Sequence, residues 1–131
     1  RVSLVWDDPE QTIVRWDFDG FIGMIDYIVS INETASMGIL NGGKADVIIN
    51  MGGKMVLPNR PLHELKKPIL AAGWYGLGCV VIVSHNPITR LIINLALRND
   101  AQMKTALQLM PSLPRAHDAI AQLCAQSSEN L

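Results

Sequence analysis

The sequence has few of the residues that mark several common classes of protein. It contains two cysteines, Cys79 and Cys124, which we expect to be small buried thiols in a reduced, cytoplasmic protein. No apolar run approaches the roughly 18 residues that a membrane-spanning helix needs, and we identify no signal peptide. The chain begins at Arg1 and not at methionine, which is consistent with a trimmed start.

Motifs for metal and phosphate chemistry are also missing. His63, His85 and His117 lie on three different predicted elements, with no i,i+4 pair and no cysteine at metal-ligand spacing, so we predict no metal site. The Gly52-Gly53-Lys54 stretch follows a strand but lacks the spacing of a P-loop, and a connecting loop explains it better. A later Gly-x-Gly pair precedes a strand where a dinucleotide-binding turn would follow one. We therefore predict no cofactor.

The charges are unevenly distributed along the chain. Residues 1–40 carry seven acids and two bases, a net charge of −5, whereas residues 41–104 carry eight bases and three acids, a net charge of +5. The two halves could neutralise each other within one fold or steer self-association. Trp74 and Tyr75 are the only aromatic residues of the basic half, too few for the stacking platforms of a nucleic-acid-binding surface. We predict no nucleic-acid partner.

The composition predicts one globular domain. Hydrophobic residues make up 49% of the 131 residues and charged residues 18%, enough apolar material for a core that needs neither metal nor disulfide. We place the domain at residues 1–126 and expect residues 127–131 to be a frayed tail.

The most regular stretch of the chain is 78–99. Gly78 to Ser84 is a short, β-branched apolar run, which predicts a strand buried on both faces in the middle of an α/β sheet. Asn86 can cap the helix that follows, and Pro87 suits its first turn because the missing N–H would have no helical partner there. This stretch predicts a strand, a tight turn and a helix packed over the sheet.

Shorter patterns complete the element order. Runs 2–6 and 11–17 are β-prone and are joined by an acidic, Pro-containing turn, whose carboxylates we expect to be solvent-exposed. A helix follows from about Asp19 to Met37, then a strand over 46–51, a short helix from about Pro61, a strand over 107–110 and a helix capped by Ser112. The order β-β-α-β-α-β-α-β-α predicts an α/β fold with a mixed, mostly parallel sheet, an N-terminal hairpin and about four helices.

This order of elements resembles the STAS fold, the domain of anti-sigma-factor antagonists, over nearly the whole chain. The stretches that look like its small stand-alone bacterial members are the opening Val14-Arg15-Trp16-Asp17-Phe18-Asp19-Gly20, the strand Asp46-Val47-Ile48-Ile49-Asn50, the Asn86-Pro87 turn before a Leu/Ile-rich helix, and the C-terminal strand-turn-helix. The resemblance implies a domain that binds partner proteins, although some relatives of similar shape bind small or lipid-like ligands.

One departure from the family concerns regulation. In the family that this chain resembles, phosphorylation-switched members carry Ser or Thr in the loop and helix start after the third strand. Here that loop spans Gly52 to Pro61 and contains no hydroxyl residue. We therefore expect no phosphorylation switch in it.

The candidate binding residues lie where the third and fourth strands end: Met51, Gly52, Gly53, Ser84, His85 and Asn86. Neighbours on a strand point to opposite faces, so Ser84 and His85 cannot activate one another unless the turn reorients them. The pair can be an ordinary polar strand end, part of a ligand pocket or, as a remote alternative, the site of a hydrolase. We predict no catalytic residue.

The helix over 86–99 has apolar residues on two faces. Ile88, Leu91, Ile92, Leu95 and Ala96 are predicted to pack inward, and Ile93 and Leu97 form a second apolar row. Close flanking helices, a homodimer interface formed by Arg90, Ile93 and Leu97, or the wall of an apolar cavity would each explain the second row. We therefore expect a non-enzymatic, cytoplasmic domain that binds an unidentified regulatory protein, with a small apolar or lipid-like ligand as the alternative.

Overall fold

The computed structural model describes residues 2–19, 23–52, 77–98 and 107–129. These ranges contain five strands and three helices, in the order β1 (Val2–Trp6), β2 (Ile13–Phe18), α1 (Met24–Leu40), β3 (Asp46–Gly52), β4 (Val80–Ser84), α2 (Pro87–Arg98), β5 (Leu107–Met110) and α3 (Leu113–Glu129). The helix predicted from about Pro61 lies outside the described residues. Helix α3 continues into the segment that was expected to be a frayed tail.

The five strands form one mixed sheet in the order β1-β2-β3-β4-β5. β1 and β2 are antiparallel and form the predicted hairpin, and every later neighbour in the sheet is parallel. The predicted α/β class with a mostly parallel sheet is therefore confirmed. β4 is an interior strand between β3 and β5, and all five of its residues are buried, as its unbroken apolar run predicts.

The sheet separates two hydrophobic cores. The core on its front face joins residues of all the strands after β1 with α1 and α2, through Tyr27, Ile31 and Ile93. The core on its back face joins Ile48, Val81 and Val83 with the small inward side chains of α3, Ala116, Ala119 and Ile120. Successive strand residues alternate between these two cores. Helices α1 and α2 therefore cover the same face of the sheet.

Helix α1 begins at Met24, five residues after the predicted start at Asp19, and ends at Leu40, three residues beyond the predicted Met37. The geometry of the glycines shows why it ends there. Gly42 has a φ of 92°, the left-handed region that favours glycine, and its N–H donates to the Ile39 carbonyl. The Gly43 N–H donates back to the carbonyl of Gly38 at 2.9 Å, which completes a Schellman motif. At Gly38 a Cβ atom would lie 2.7 Å from the backbone nitrogen of Ala45, so only glycine fits.

Helix α2 faces the sheet with a different side from the predicted one. Ile93 is 3% exposed and belongs to the front core, so its assignment to a dimer interface is wrong. Leu91 is 59% exposed, and the other described members of the predicted inward row are exposed with it. Only two residues separate β4 from α2, and the Asn86 carboxamide fixes the start of the helix. This short connection sets the rotation of α2 about its axis, which the apolar pattern alone cannot do.

The rotation of α1 is set in a similar way. The Trp16 side chain is completely buried, and its indole N–H donates to Thr34 Oγ1 at 2.8 Å. The Thr34 hydroxyl in turn donates to the Ser30 carbonyl one turn earlier. This polar contact turns Thr34 towards the sheet and leaves Ile25 and Val29 exposed on the outer side.

Candidate functional site

The predicted strand-end site is partly assembled by the fold. Gly52 pairs with Ser84 at the carboxyl ends of β3 and β4, and the Asn86 N–H donates to Ser84 Oγ at 3.3 Å. Met51 is buried in the front core, and Gly53 lies outside the described residues. Three of the six predicted residues are therefore brought into direct contact at the edge where open α/β sheets usually bind ligands.

An irregularity in the pairing of β3 with β4 marks this edge. Asn50 pairs with Val83 and Gly52 with Ser84, so Met51 is an extra residue on β3. Such a bulge bends the strand, increases its twist and is common beside functional sites. Here it turns the end of β3 away from regular pairing with β4.

The environments of Ser84 and His85 do not suit nucleophilic catalysis. Ser84 is fully buried, so no substrate can reach its hydroxyl, whereas His85 is exposed to solvent. An attacking serine needs both access to substrate and a base within hydrogen-bonding distance. The burial of Ser84 therefore argues against a hydrolase at this position.

Asn86 has a structural role at the same edge. Its side-chain oxygen accepts hydrogen bonds from the N–H groups of Ile88 at 3.0 Å and Thr89 at 3.1 Å. These N–H groups at the start of a helix are the ones that could otherwise hold an anion. The cap predicted from the sequence is confirmed, and it occupies the groups that phosphate recognition would need.

A second polar cluster lies on the back face, and the sequence did not reveal it. The Asp7 side chain is only 5% exposed, which corrects the expectation that the acids of the hairpin turn face solvent. One of its oxygens accepts a hydrogen bond from Arg15 Nη1 at 2.7 Å, and the other lies 2.8 Å from His117 Nε2 on α3. The contact joins residues 110 positions apart in the sequence, so no local pattern could predict it.

Arg15 is the centre of this cluster. Its Nε donates to both oxygens of Asp17, and Asp17 also accepts a hydrogen bond from Asn50 on β3. Partial burial alone would lower the pKa of Arg15, but the carboxylates of Asp17 and Asp7 outweigh it and raise the pKa. Both acids accept hydrogen bonds from Arg15, and the cluster connects the hairpin with β3 through Asn50 and with α3 through His117.

Helices α1 and α2 carry most of the exposed apolar side chains, and we call their exposed apolar sides the helical face. Nine large apolar side chains are exposed in the described ranges, and eight of them lie on these two helices. They are Ile25, Val29, Ile39, Leu40, Ile88, Leu91, Ile92 and Leu95. Scattered apolar side chains are normal on a surface, but a row of them along the outer side of a helix, as on α1 and on α2, is a candidate interaction site.

Comparison with family models, with curated proteins and with solved structures gave no match for this chain. In the described ranges, no three His, Cys, Asp or Glu side chains are grouped so that they could hold a metal ion. None of the helices described is long and apolar enough to span a membrane.

Proposed function

We propose that this chain is a STAS-like, non-enzymatic regulatory domain that works in the cytoplasm and binds another protein chain through the helical face. The observation that carries the proposal is the concentration of exposed apolar side chains on α1 and α2. The strand order and the antiparallel N-terminal hairpin support the STAS-like assignment.

The spacing on α2 favours a protein partner. Ile88, Leu91, Ile92 and Leu95 follow the i, i+3, i+4, i+7 pattern of a helix that packs against another element. Burying one Ile or Leu side chain is worth roughly 1.5–3 kcal/mol. Several such residues on one face can therefore drive association once a complementary surface is present.

The proposed domain differs from switched relatives in its regulation. The stretch from Gly52 to Pro61 has no hydroxyl residue, so binding is constitutive and not controlled by phosphorylation there. Incubation with a cognate kinase should label no residue in that stretch. A phosphate mapped to Thr89 or Ser84 would contradict constitutive binding, because it would place a switch at the start of α2.

The proposed function is tested by photo-crosslinking in living cells. A benzoylphenylalanine replaces Leu91 on the helical face or, as the matched control, Gln122, which is exposed on α3 on the other side of the sheet. We expect a protein adduct from position 91 and none from position 122. Equal adducts from both positions would show that the helical face is not the binding surface.

The apolar-ligand alternative is separated by native mass spectrometry of the purified protein. A helical face that binds protein should give the mass of the chain or of its complexes alone. A lipid-like mass that co-purifies with the wild type and is lost in Leu91→Glu would overturn the proposal, because the apolar side chains would then hold a small molecule.

A further inference from the structure

We infer that the chain bound by the helical face is a second copy of this protein, related by a two-fold axis, with α1 of each copy packed against α2 of the other. The inference rests on the proposed function, because it names the partner of the same face. In a two-fold interface each contact occurs twice, so α1 and α2 must complement each other.

The charges of the two helices have this complementarity. Helix α1 contains two acids, Asp26 and Glu33, and no base, whereas α2 contains two bases, Arg90 and Arg98, and no acid. Both Glu33 and Arg98 are exposed. The Nε atom of Arg90 is buried, so Arg98 is the base that α2 presents to solvent beside its exposed row.

Glu33 and Arg98 also lie next to the exposed apolar rows of their helices. Glu33 precedes Leu40 by seven residues and Arg98 follows Leu91 by seven residues, which is about two helical turns in each case. Each charge therefore borders the apolar row of its own helix, within about 20° around the axis. Two apolar rows that meet would bring an acid of one copy to the rim opposite a base of the other.

The same charges disfavour a membrane as the occupant of this face. Anionic headgroups attract basic helices and repel acidic ones. Only α2 would be attracted, while Glu33 and Asp26 on α1 would be repelled. A second copy satisfies both helices at once.

Charge reversal with purified protein tests the pairing in trans. The Glu33→Arg and Arg98→Glu variants each place like charges opposite one another twice in a homodimer, and each should raise the dimer Kd by about tenfold or more. When the two variants are mixed, every reversed residue meets an opposite charge, and dimers should form again. Arg115→Glu, the same change at an exposed site on α3, should leave the Kd unchanged. Light scattering gives the mass, and circular dichroism confirms that each variant is folded.

The inference would be overturned if the wild type is monomeric at about 100 µM, which is far above a micromolar Kd. It would also be overturned if neither charge reversal weakens the dimer. The third contrary result is a pair of weakened variants that form no dimer when they are mixed. If a reversal unfolds the protein, Glu33→Gln and Arg98→Gln, which only remove a charge, must still weaken the dimer for the inference to stand. A monomeric wild type with a crosslink from position 91 to a different protein would refute the second copy and leave the proposed function intact.

Discussion

At the scale of single residues, a buried hydrogen bond joins β2 to α1 in the front core. The indole N–H of Trp16 is fully enclosed and donates to Thr34 Oγ1. A buried donor that has no acceptor destabilises the fold, because it has lost its hydrogen bonds to water and makes none in the protein. The hydrogen bond therefore fixes which side of α1 meets the sheet. Replacing Thr34 by a residue without a hydroxyl would leave the Trp16 N–H unpaired.

Thr34→Val keeps the shape of the side chain and removes the hydroxyl. We expect the free energy of unfolding to fall by about 1–3 kcal/mol, because the Trp16 N–H is left unpaired in the core. Urea denaturation measures the change, and Ser36→Ala, at an exposed hydroxyl on the same helix, should alter stability by less than about 0.5 kcal/mol. Equal effects of the two changes would contradict the assigned role of Thr34.

Asp8 organises the turn of the hairpin. Its carboxylate accepts hydrogen bonds from the Thr12 N–H, the Ile13 N–H and the Thr12 hydroxyl. Burial alone would raise the pKa of Asp8, but these hydrogen bonds outweigh it and lower the pKa. A carboxyl whose pKa is lowered by folding stabilises the fold above its unfolded pKa, and that stabilisation is lost as the pH falls through the lower folded pKa.

Asp8→Asn should therefore destabilise the protein at pH 7 by about 0.5–1.5 kcal/mol. The difference from the wild type should shrink as the pH falls below about 4, since the wild-type carboxyl becomes protonated there. Urea midpoints measured from pH 7 to pH 2.5 give the curve. Glu10→Gln, an exposed acid of the same turn, serves as the control. A difference that stays constant over the whole range would refute a role for the Asp8 charge.

At the scale of whole elements, the rotation of α2 separates the core from the surface. Thr89 and Ile93 face the sheet, and the row that includes Leu91 faces outward. Ile93→Glu would bury a carboxylate without a partner, whereas Leu91→Glu would place one in solvent.

We expect Ile93→Glu to lose several kcal/mol of stability or to unfold, and Leu91→Glu to melt close to the wild type. Thermal unfolding followed by circular dichroism distinguishes the two. A stable Ile93→Glu together with an unfolded Leu91→Glu would show that the row with Leu91 packs on the sheet and that α2 has no exposed apolar row.

Helix α3 is connected to the hairpin through His117 and Asp7. The contact crosses the back face beyond the apolar core that α3 shares with β3 and β4. His117 is partly exposed, so solvent weakens its interaction with the carboxylate.

His117→Ala should cost about 1 kcal/mol or less. Amide hydrogen exchange should accelerate at Ile13 and its neighbours in the hairpin, while β4 keeps its protection. A double-mutant cycle with Asp7→Asn measures the coupling between the two side chains. Additive effects would show that the two groups lie close together without stabilising one another.

At the scale of the whole molecule, the net charge of −1 and the apolar helical face both favour self-association. Little charge repulsion opposes the approach of two copies, and exposed apolar side chains favour it. Ile25→Lys with Leu91→Lys should shorten retention on a hydrophobic-interaction column and leave the melting temperature nearly unchanged. Gln122→Lys adds one charge on the other side of the sheet and should change retention less. Equal shifts would mean that charge alone, and not the helical face, controls retention.

The sequence by itself determined most of the fold. Unbroken apolar runs predicted the buried strands, and Asn86 and Ser112 predicted the starts of α2 and α3, because these signals act on the backbone within a few residues. The sequence also placed Gly52, Ser84 and Asn86 at the ends of β3 and β4. The carboxyl ends of parallel strands meet at one edge of a sheet, which is where these residues lie.

Only the tertiary structure decided which side of each helix is buried and which distant charges meet. Periodicity shows that Leu91 and Ile93 lie on different sides of α2, but the two-residue connection and the Asn86 cap choose the side that meets the sheet. Asp7 and His117 meet because α3 crosses the back face, and no local preference encodes that contact. The apolar pattern shows which residues share one side of a helix, while the packing of the whole chain determines which side is buried and which stays exposed.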